Sequence, residues 1–185
     1  MKSLKSLKSL VMIFPMLLVG GLLGCSDTPP KSPDVADSIR KSLDQSGYKD
    51  VSVSQDRDKG VVTLSGTVPA ESDKAQAESL AKSAAGSQVV ANQIAVRPPG
   101  DESVAKTVAS DLDKGIEKNL DAALVQRKMD KGVSYDVKNG VVTLKGDVSS
   151  QGRRSSIEQI VKGVPNVNQV VNEIQVKAQK ATSSN

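Results

Sequence analysis

Residues 59–96 have the sequence KGVVTLSGTVPAESDKAQAESLAKSAAGSQVVANQIAV. With an offset of 80 residues they align without a gap on residues 139–176, NGVVTLKGDVSSQGRRSSIEQIVKGVPNVNQVVNEIQV, and 13 of the 38 aligned residues are identical. Roughly two or three identities are expected by chance over this length, so the self-similarity is real. The chain therefore contains two copies of one module.

Alternating apolar and polar residues predict the strands of each copy. In residues 61–68, Val62, Leu64 and Val68 share one face, and residues 141–148 repeat that pattern, as expected of a half-buried strand. Flanking strands are predicted in both copies, at 51–55, 89–96, 133–137 and 167–176. An Asn-Gly pair before the second copy's central strand predicts a tight hairpin, because both residues tolerate positive φ.

Apolar residues at helical spacing predict two helices in each copy. One follows the central strand, at about residues 70–85 and 150–163. The other precedes the first strand, and in the second copy Val104, Val108 and Leu112 continue its phase towards the N-terminus. The predicted core positions are Val35, Ile39, Leu43, Ala77, Leu80, Ala81 and Ala84 in the first copy, and Ile116, Leu120, Ala123, Leu124, Ile157, Ile160, Val161 and Val164 in the second. The second copy has the bulkier core.

The predicted order is α-β-β-α-β, twice, which places the chain in the α+β class. This order, the Gly-Val-Val-Thr-Leu-x-Gly-x-Val core and the closing Val-x-Asn-x-Ile-x-Val strand resemble the BON domain, named for bacterial osmotically induced and nodulation proteins. The resemblance covers about residues 35–97 and 113–177. It implies two tandem modules, each with a small three-stranded mixed sheet packed against two helices.

Composition and periodicity divide the chain into six segments. They are a lipoprotein signal peptide at 1–24, an acylated cysteine and flexible tether at 25–34, a first module at 35–97, a linker and helical extension at 98–112, a second module at 113–177, and a disordered tail at 178–185. The paired prolines Pro98 and Pro99 separate the modules, because they bar helix continuation.

The N-terminus predicts secretion. Three lysines precede an apolar stretch over residues 10–23 that is short for a membrane-spanning helix, which needs about 20 residues. The ending Leu22-Leu23-Gly24-Cys25 resembles the lipobox of bacterial lipoproteins, which implies that the Cys25 thiol receives a diacylglycerol. The alternative is an ordinary signal peptide with a chance cysteine. In enterobacterial lipoproteins an aspartate directly after the cysteine resembles an inner-membrane retention signal. Here Ser26 holds that position, so the resemblance points to the outer membrane.

Composition excludes several classes of function. The chain has no His and no Trp, which removes imidazole catalysis, imidazole metal sites and Ser-His-Asp triads. An aromatic content of 2% leaves too few rings for a base-stacking platform. Beyond the first ten residues the net charge is only +1, so charge does not favour nucleic acid. We expect no enzyme activity, no catalytic residues, no cofactor and no metal site.

The second module carries a candidate binding face on its first helix. On a helical wheel, Lys114, Lys118, Val125 and Lys128 lie opposite the predicted core residues, with Asp121 among them. Arg127 and Lys131 extend the positive charge past the helix end. The face is either a contact for lipid phosphates or an ordinary solvated surface. The acidic Asp121 among the lysines favours the solvated surface.

Two pairs of repeated residues have both a structural and a functional interpretation. Gly66 and Gly146 interrupt the central strands, as a bulge or close backbone packing requires, or as a ligand approaching the backbone would. Asn92 and Asn172 lie on the core side of the closing strands, where a polar side chain must find hydrogen-bond partners. These asparagines either hydrogen-bond to the backbone of a loop or helix end, or they line a binding site.

A lipobox, a tether and two such modules together resemble dual-BON envelope lipoproteins. This resemblance implies a non-enzymatic protein that is lipid-anchored in the envelope, on the periplasmic side of the outer membrane. It also implies that the protein binds anionic phospholipid and supports envelope integrity or stress tolerance. The alternative is a protein-binding adaptor or structural spacer in the periplasm, which would use the sheet faces or the alanine-rich helix at 70–85.

Overall fold

The computed structural model describes residues 30–177. Module 1 consists of α1 (Ala36–Gln45), β1 (Val51–Asp56), β2 (Val61–Val68), α2 (Glu71–Ala85) and β3 (Val89–Val96). Module 2 consists of α3 (Glu102–Gln126), β4 (Val133–Lys138), β5 (Val141–Val148), α4 (Gln151–Lys162), β6 (Gln169–Asn172) and β7 (Gln175–Val176). The predicted α-β-β-α-β order is confirmed in both modules, except that the last strand of module 2 is split in two.

Each module has one small mixed sheet. In module 1, β2 pairs antiparallel with β1 and parallel with β3. In module 2, β5 pairs antiparallel with β4 and parallel with both β6 and β7. The predicted α+β fold of two mixed sheets with helices is therefore confirmed.

The helices cover one face of each sheet and form two separate cores. In module 1, Ile39 and Leu43 of α1 pack with Leu64 and with the alanines of α2. In module 2, α3 and α4 contribute larger side chains to the equivalent core. Five predicted core residues are only partly buried, whereas Ala85 is buried; the five are Val35, Leu80, Ala84, Ala123 and Ile160. The predicted contrast in core size is nevertheless confirmed at the most buried positions.

Gly66 and Gly146 allow two strands to approach each other closely. They have φ values of 119° and 121°, which side chains rarely adopt. A Cβ atom on Gly66 would lie 2.0 Å from the Asp50 carbonyl oxygen, and one on Gly146 would lie 2.2 Å from that of Gly132. These glycines therefore serve close backbone packing, at the same place in both modules.

Helix α3 is the longest element, with 25 residues, and includes the predicted helical extension. It ends in a Schellman motif, in which the N–H of Met129 donates to Leu124 O (2.8 Å) and that of Lys128 to Val125 O (3.0 Å). Lys128 takes the left-handed position with a φ of 55°. The prediction that Lys128 lies on the helix is therefore wrong, because the helix has already turned away at Arg127.

None of the helices within residues 30–177 combines the length and the apolar character needed to cross a membrane.

Candidate functional site

The outer face of α3 carries the predicted binding residues. Ile116, Leu120 and Leu124 hold the opposite side of the helix in the core. The predicted residues are therefore directed outwards, and Lys114, Lys118, Val125, Arg127, Lys128 and Lys131 are all exposed. Val125 is 60% exposed and lies between charged side chains.

Most of these cations have no acidic partner. Lys114 lies 3.4 Å from the Asp111 carboxylate, but both side chains are mostly exposed, so the pair contributes little. Among residues 30–177, no carboxylate lies within 4.0 Å of Lys118, Arg127, Lys128 or Lys131. Their charge is free to meet an anionic surface.

Asp121, the one acid in the middle of this face, is hydrogen-bonded to Tyr135 of β4. The Tyr135 hydroxyl donates a hydrogen bond to the Asp121 carboxylate and lies 3.2 Å from the Glu117 carbonyl oxygen. Burial and the neighbouring Asp121 raise the pKa of Tyr135 well above its usual range, so Tyr135 stays a neutral donor. Asp121 therefore reduces the positive potential of the face but is engaged with β4.

The C-terminal end of α3 forms a basic corner, made of Arg127, Lys128, Lys131 and Arg153. Arg153 comes from the first turn of α4, whose N-cap Ser150 accepts the Arg153 N–H at 3.2 Å. Its Nη2 lies 3.4 Å from the Lys128 carbonyl oxygen and 3.3 Å from that of Lys131. Sequence reasoning missed Arg153 because it follows the other members by more than 20 residues on a different helix.

Asn92 and Asn172 fasten the closing strand of each module to its second helix. Asn92 is 3% exposed, and its Nδ2 donates to Glu78 Oε2 at 2.9 Å. Asn172 repeats the contact with Glu158 Oε2 at 2.8 Å. Among their two proposed interpretations, these hydrogen bonds favour the structural one.

A lysine completes each of these groups and keeps the glutamate ionised. Lys82 lies 2.5 Å from Glu78 Oε1, and Lys162 lies 2.6 Å from Glu158 Oε1. Burial opposes ionisation of Glu78, but hydrogen bonds from Asn92 and Lys82 outweigh it and lower its pKa. Hydrogen bonds from Lys162 and then Asn172 lower the pKa of Glu158.

The faces of the two sheets that lie away from the helices pack against each other. Val61 and Ala91 of module 1 form a small buried cluster with Val141 and Val171 of module 2. At these residues the sheet faces that were predicted as adaptor surfaces are covered by the other module.

Polar contacts surround this cluster. We call the cluster and these contacts together the module junction. Lys59 Nζ lies 2.6 Å from Glu173 Oε2, and Asn139 Nδ2 donates to the Gln93 carbonyl oxygen at 2.8 Å. The amide of Gln169 accepts the Asn92 N–H (3.1 Å) and donates to Val90 O (2.7 Å), in place of a neighbouring strand. The junction is therefore specific as well as buried.

A cleft of about 440 Å³ opens beside the junction, between β3 and the N-terminal half of α3. Ile94, Val96, Val108 and Leu112 are among its apolar lining residues. Val108 and Leu112 remain 53% and 48% exposed there. The sequence predicted this part of the helix but not the cleft, which depends on how the modules meet.

The predicted lipid-attachment residue, Cys25, lies outside the described residues.

The chain is similar to known proteins over most of its length. The BON domain family matches residues 32–98 and 112–178. The chain is 30% identical over 135 residues to osmotically-inducible protein Y of Escherichia coli strain K12, which covers 73% of this chain and 67% of that protein. It is 33% identical over 144 residues to an uncharacterized protein in the gshII 5' region of Anaplasma centrale, covering 77% of this chain and 92% of that protein.

Solved structures resemble the chain more distantly. Two structures of CdsD, a structural protein of the type III secretion system of Chlamydia trachomatis, match with a TM-score of 0.32 and 15% identity. They cover 78% and 77% of this chain, which in turn spans 66% and 62% of the CdsD chains, just under two thirds.

The two sequence matches to the BON domain fall one on each module. The chain therefore belongs to the BON-domain family and is related to osmotically-inducible protein Y.

Proposed function

We propose that this chain is a non-enzymatic lipoprotein of the bacterial envelope that binds anionic phospholipid surfaces through module 2. In this role it supports envelope integrity under osmotic stress. The observation that carries the proposal is the row of exposed cations along α3 and its basic corner, with Val125 exposed among them. Phosphate headgroups would meet the cations, and Val125 would touch the acyl boundary.

Charge is distributed in a way that supports module 2 as the contact. Residues 31–98 carry nine basic and nine acidic groups, whereas residues 101–185 carry thirteen and eleven. The excess is small, so the contact depends on the placement of the cations on one face. Each Lys or Arg contributes about 1 kcal/mol near an anionic membrane and acts within a Debye length of about 8 Å. Binding through this face should therefore be weak alone and sensitive to salt.

The backbone at Lys128 supports a role for its charge. Module 1 places Gly47, with a φ of 90°, at the same position of the α1 Schellman motif, where Tyr48 N donates to Leu43 O. A lysine in the left-handed region costs about 1 kcal/mol more than glycine. Such strain concentrates at functional positions.

Attachment to the membrane rests on Cys25 and the lipobox resemblance. Two or more acyl chains hold a protein on a bilayer almost permanently, at about 0.8 kcal/mol for each buried methylene. Cys25→Ala should abolish labelling by a radioactive fatty acid in cells. Equal labelling of the variant and the native protein would contradict the anchor.

Vesicle cosedimentation of the chain from Ser26 onwards tests the lipid contact separately from the anchor. This form should pellet with vesicles containing anionic phospholipid, less so at high salt, and hardly at all with zwitterionic vesicles. The triple variant Lys114→Glu, Lys118→Glu and Lys128→Glu should stay in the supernatant.

A matched control changes the same net charge elsewhere. Lys41, Lys49 and Lys145 are exposed and lie away from the outer face of α3. Their combined replacement by glutamate should reduce pelleting much less than the α3 triple variant. Equal pelleting of the folded α3 variant and the native chain would exclude this face as the contact.

The second candidate function is a protein-binding adaptor. It is favoured by the cleft beside the junction and by Val104, Val108 and Leu112, which are 61%, 53% and 48% exposed along α3. Absence of binding to any anionic vesicle, together with loss of envelope function in Val108→Asp but not in the lysine variants, would favour the adaptor.

A further inference from the structure

The module junction brings together the same surface of both modules. Val61 and Val141 are equivalent by the 80-residue offset, and so are Ala91 and Val171. All four residues are buried in one cluster, with exposures of 1–6%. Each module therefore presents to the other the residues that it contacts in return, as in a twofold-symmetric dimer.

Polar contacts at the rim follow the same relation. Lys59 of module 1 contacts Glu173 of module 2, and the offset converts this pair into Asn139 and Gln93. Asn139 does contact Gln93, at 2.8 Å. Both equivalent pairs are thus in contact, one through a side-chain ion pair and the other through a hydrogen bond from a side chain to a backbone carbonyl.

The covalent connection between the modules is short and forms a local turn. Five residues, 97–101, separate the end of β3 from the start of α3. The turn is held by the Asp101 N–H donating to the Pro98 carbonyl oxygen at 3.2 Å, and Gly100 adopts a φ of 92°. If this turn opens, five extended residues span up to about 17 Å.

We propose that the junction surface also pairs two copies of this chain, by reciprocal exchange of modules about residues 97–101. In the exchanged dimer, module 1 of each copy packs on module 2 of the other, with every junction contact retained. A surface that recognises its own equivalent does not distinguish a module on the same chain from one on another. The linker alone decides which of them it meets, through an effective concentration in the mM range.

Shortening the linker should therefore convert the monomer into a dimer. The test uses the chain from Ser26 onwards, which contains every helix and strand described here. Deletion of residues 98–100 should make the dimer the major species by light scattering, because the closed turn is no longer available. Insertion of six Gly and Ser residues after Gly100 is the matched control and should keep the chain monomeric.

The contacts within the dimer identify its interface. In a mixed sample of ¹³C-labelled and unlabelled chains, isotope-filtered NOEs should connect Val61 methyl groups of one copy with Val141 and Val171 methyl groups of the other. A deletion variant that stays monomeric and folded, or a dimer that lacks these intermolecular NOEs, overturns the proposal.

The native chain provides a test that does not depend on the deletion variant folding. Labelled and unlabelled chains are mixed in denaturant and refolded at concentrations approaching the mM effective concentration of the linker. The same intermolecular NOEs should then appear, and they should be lost on refolding at a hundredfold lower concentration. Their absence at high concentration overturns the proposal.

Discussion

Modules 1 and 2 build one backbone around different side chains. Ala77 and Ala81 of α2 occupy the positions of Ile157 and Val161 of α4, and all four are fully buried. The fold therefore requires an apolar residue at these positions but not a particular volume. Because buried methylenes contribute about 0.8 kcal/mol each, module 2 should be the more stable half.

The comparison also shows where stability has been given up. Module 1 closes its first helix with Gly47, which adopts positive φ without strain, whereas module 2 uses Lys128. The half with the larger core thus carries the strained cation. In the proposed function this is also the half that contacts the membrane.

The strongest test of backbone equivalence is at the paired glycines. Gly66→Ala and Gly146→Ala should each lower the free energy of unfolding by about 2–6 kcal/mol, because backbone strain and overpacking each cost about 1–3 kcal/mol. Denaturant melts measure the loss. As a control, Gly115→Ala in α3 meets no atom within 4 Å and should raise stability by about 1 kcal/mol. A tolerated alanine at only one of the paired glycines would break the equivalence.

The difference between the cores is tested by making module 2 resemble module 1. Ile157→Ala reproduces the Ala77 side chain and should cost about 2–5 kcal/mol, because the surrounding core does not fully collapse. Amide hydrogen exchange follows each module separately. Module 2 should be the better protected half before the change and lose that advantage after it. Better protection of module 1 in the native chain would contradict the argument from core size.

The asparagine contacts should differ between the modules in proportion to burial. Asn92→Ala and Asn172→Ala should each cost about 1–3 kcal/mol, with the larger loss at Asn92, which is 3% exposed. Chemical denaturation of the two variants ranks them. A larger loss at Asn172 would contradict the ranking by burial.

The glutamates of these contacts predict how stability depends on pH. Because the folded-state pKa values of Glu78 and Glu158 lie below the ordinary value of 4.5, their contribution is present above that pH and is lost as the pH falls through the lowered pKa values. Denaturant melts at decreasing pH should show the loss, and Glu78→Gln with Glu158→Gln should flatten it. An equally steep acid dependence in the double variant would assign it to other carboxylates.

The smallest expected effect concerns a break in the symmetry of the junction. Gln169 pairs with the free edge of β3, but its equivalent in module 1 is Val89, which is 45% exposed. Val89→Gln should pair with Val170 O and Asn172 N and raise stability by about 0.5–1.5 kcal/mol. Thermal melts detect the gain. A destabilised Val89→Gln variant would show that the two edges are not equivalent in space.

The local structure could be predicted where the pattern repeats. Alternation in residues 61–68 and 141–148 located both central strands, and the α3 phase located its extension. The end of α3 could not be predicted, because glycine is the usual signal for a left-handed terminal residue and Lys128 is not.

The arrangement of the modules was harder to predict. Val61 and Val141 are apolar on the otherwise polar parity of their strands, which was the available signal that this face is covered. The other residues on that side of β2 are Thr63, Ser65 and Thr67, and these polar residues obscured the signal. Arg153 could not be predicted as part of the basic corner, because its position depends on how α4 packs beside the end of α3.

The paired residues of the junction also have the pattern that a gene duplication would leave. When the gene of a self-pairing protein is duplicated and fused, each half inherits both sides of the old interface. Such an inheritance would explain why the junction pairs equivalent residues, Val61 with Val141 and Ala91 with Val171. At Val89 and its equivalent Gln169 the two halves differ. In these terms a single module that carries both sides of the junction would be self-complementary, as a subunit of a twofold-symmetric dimer is.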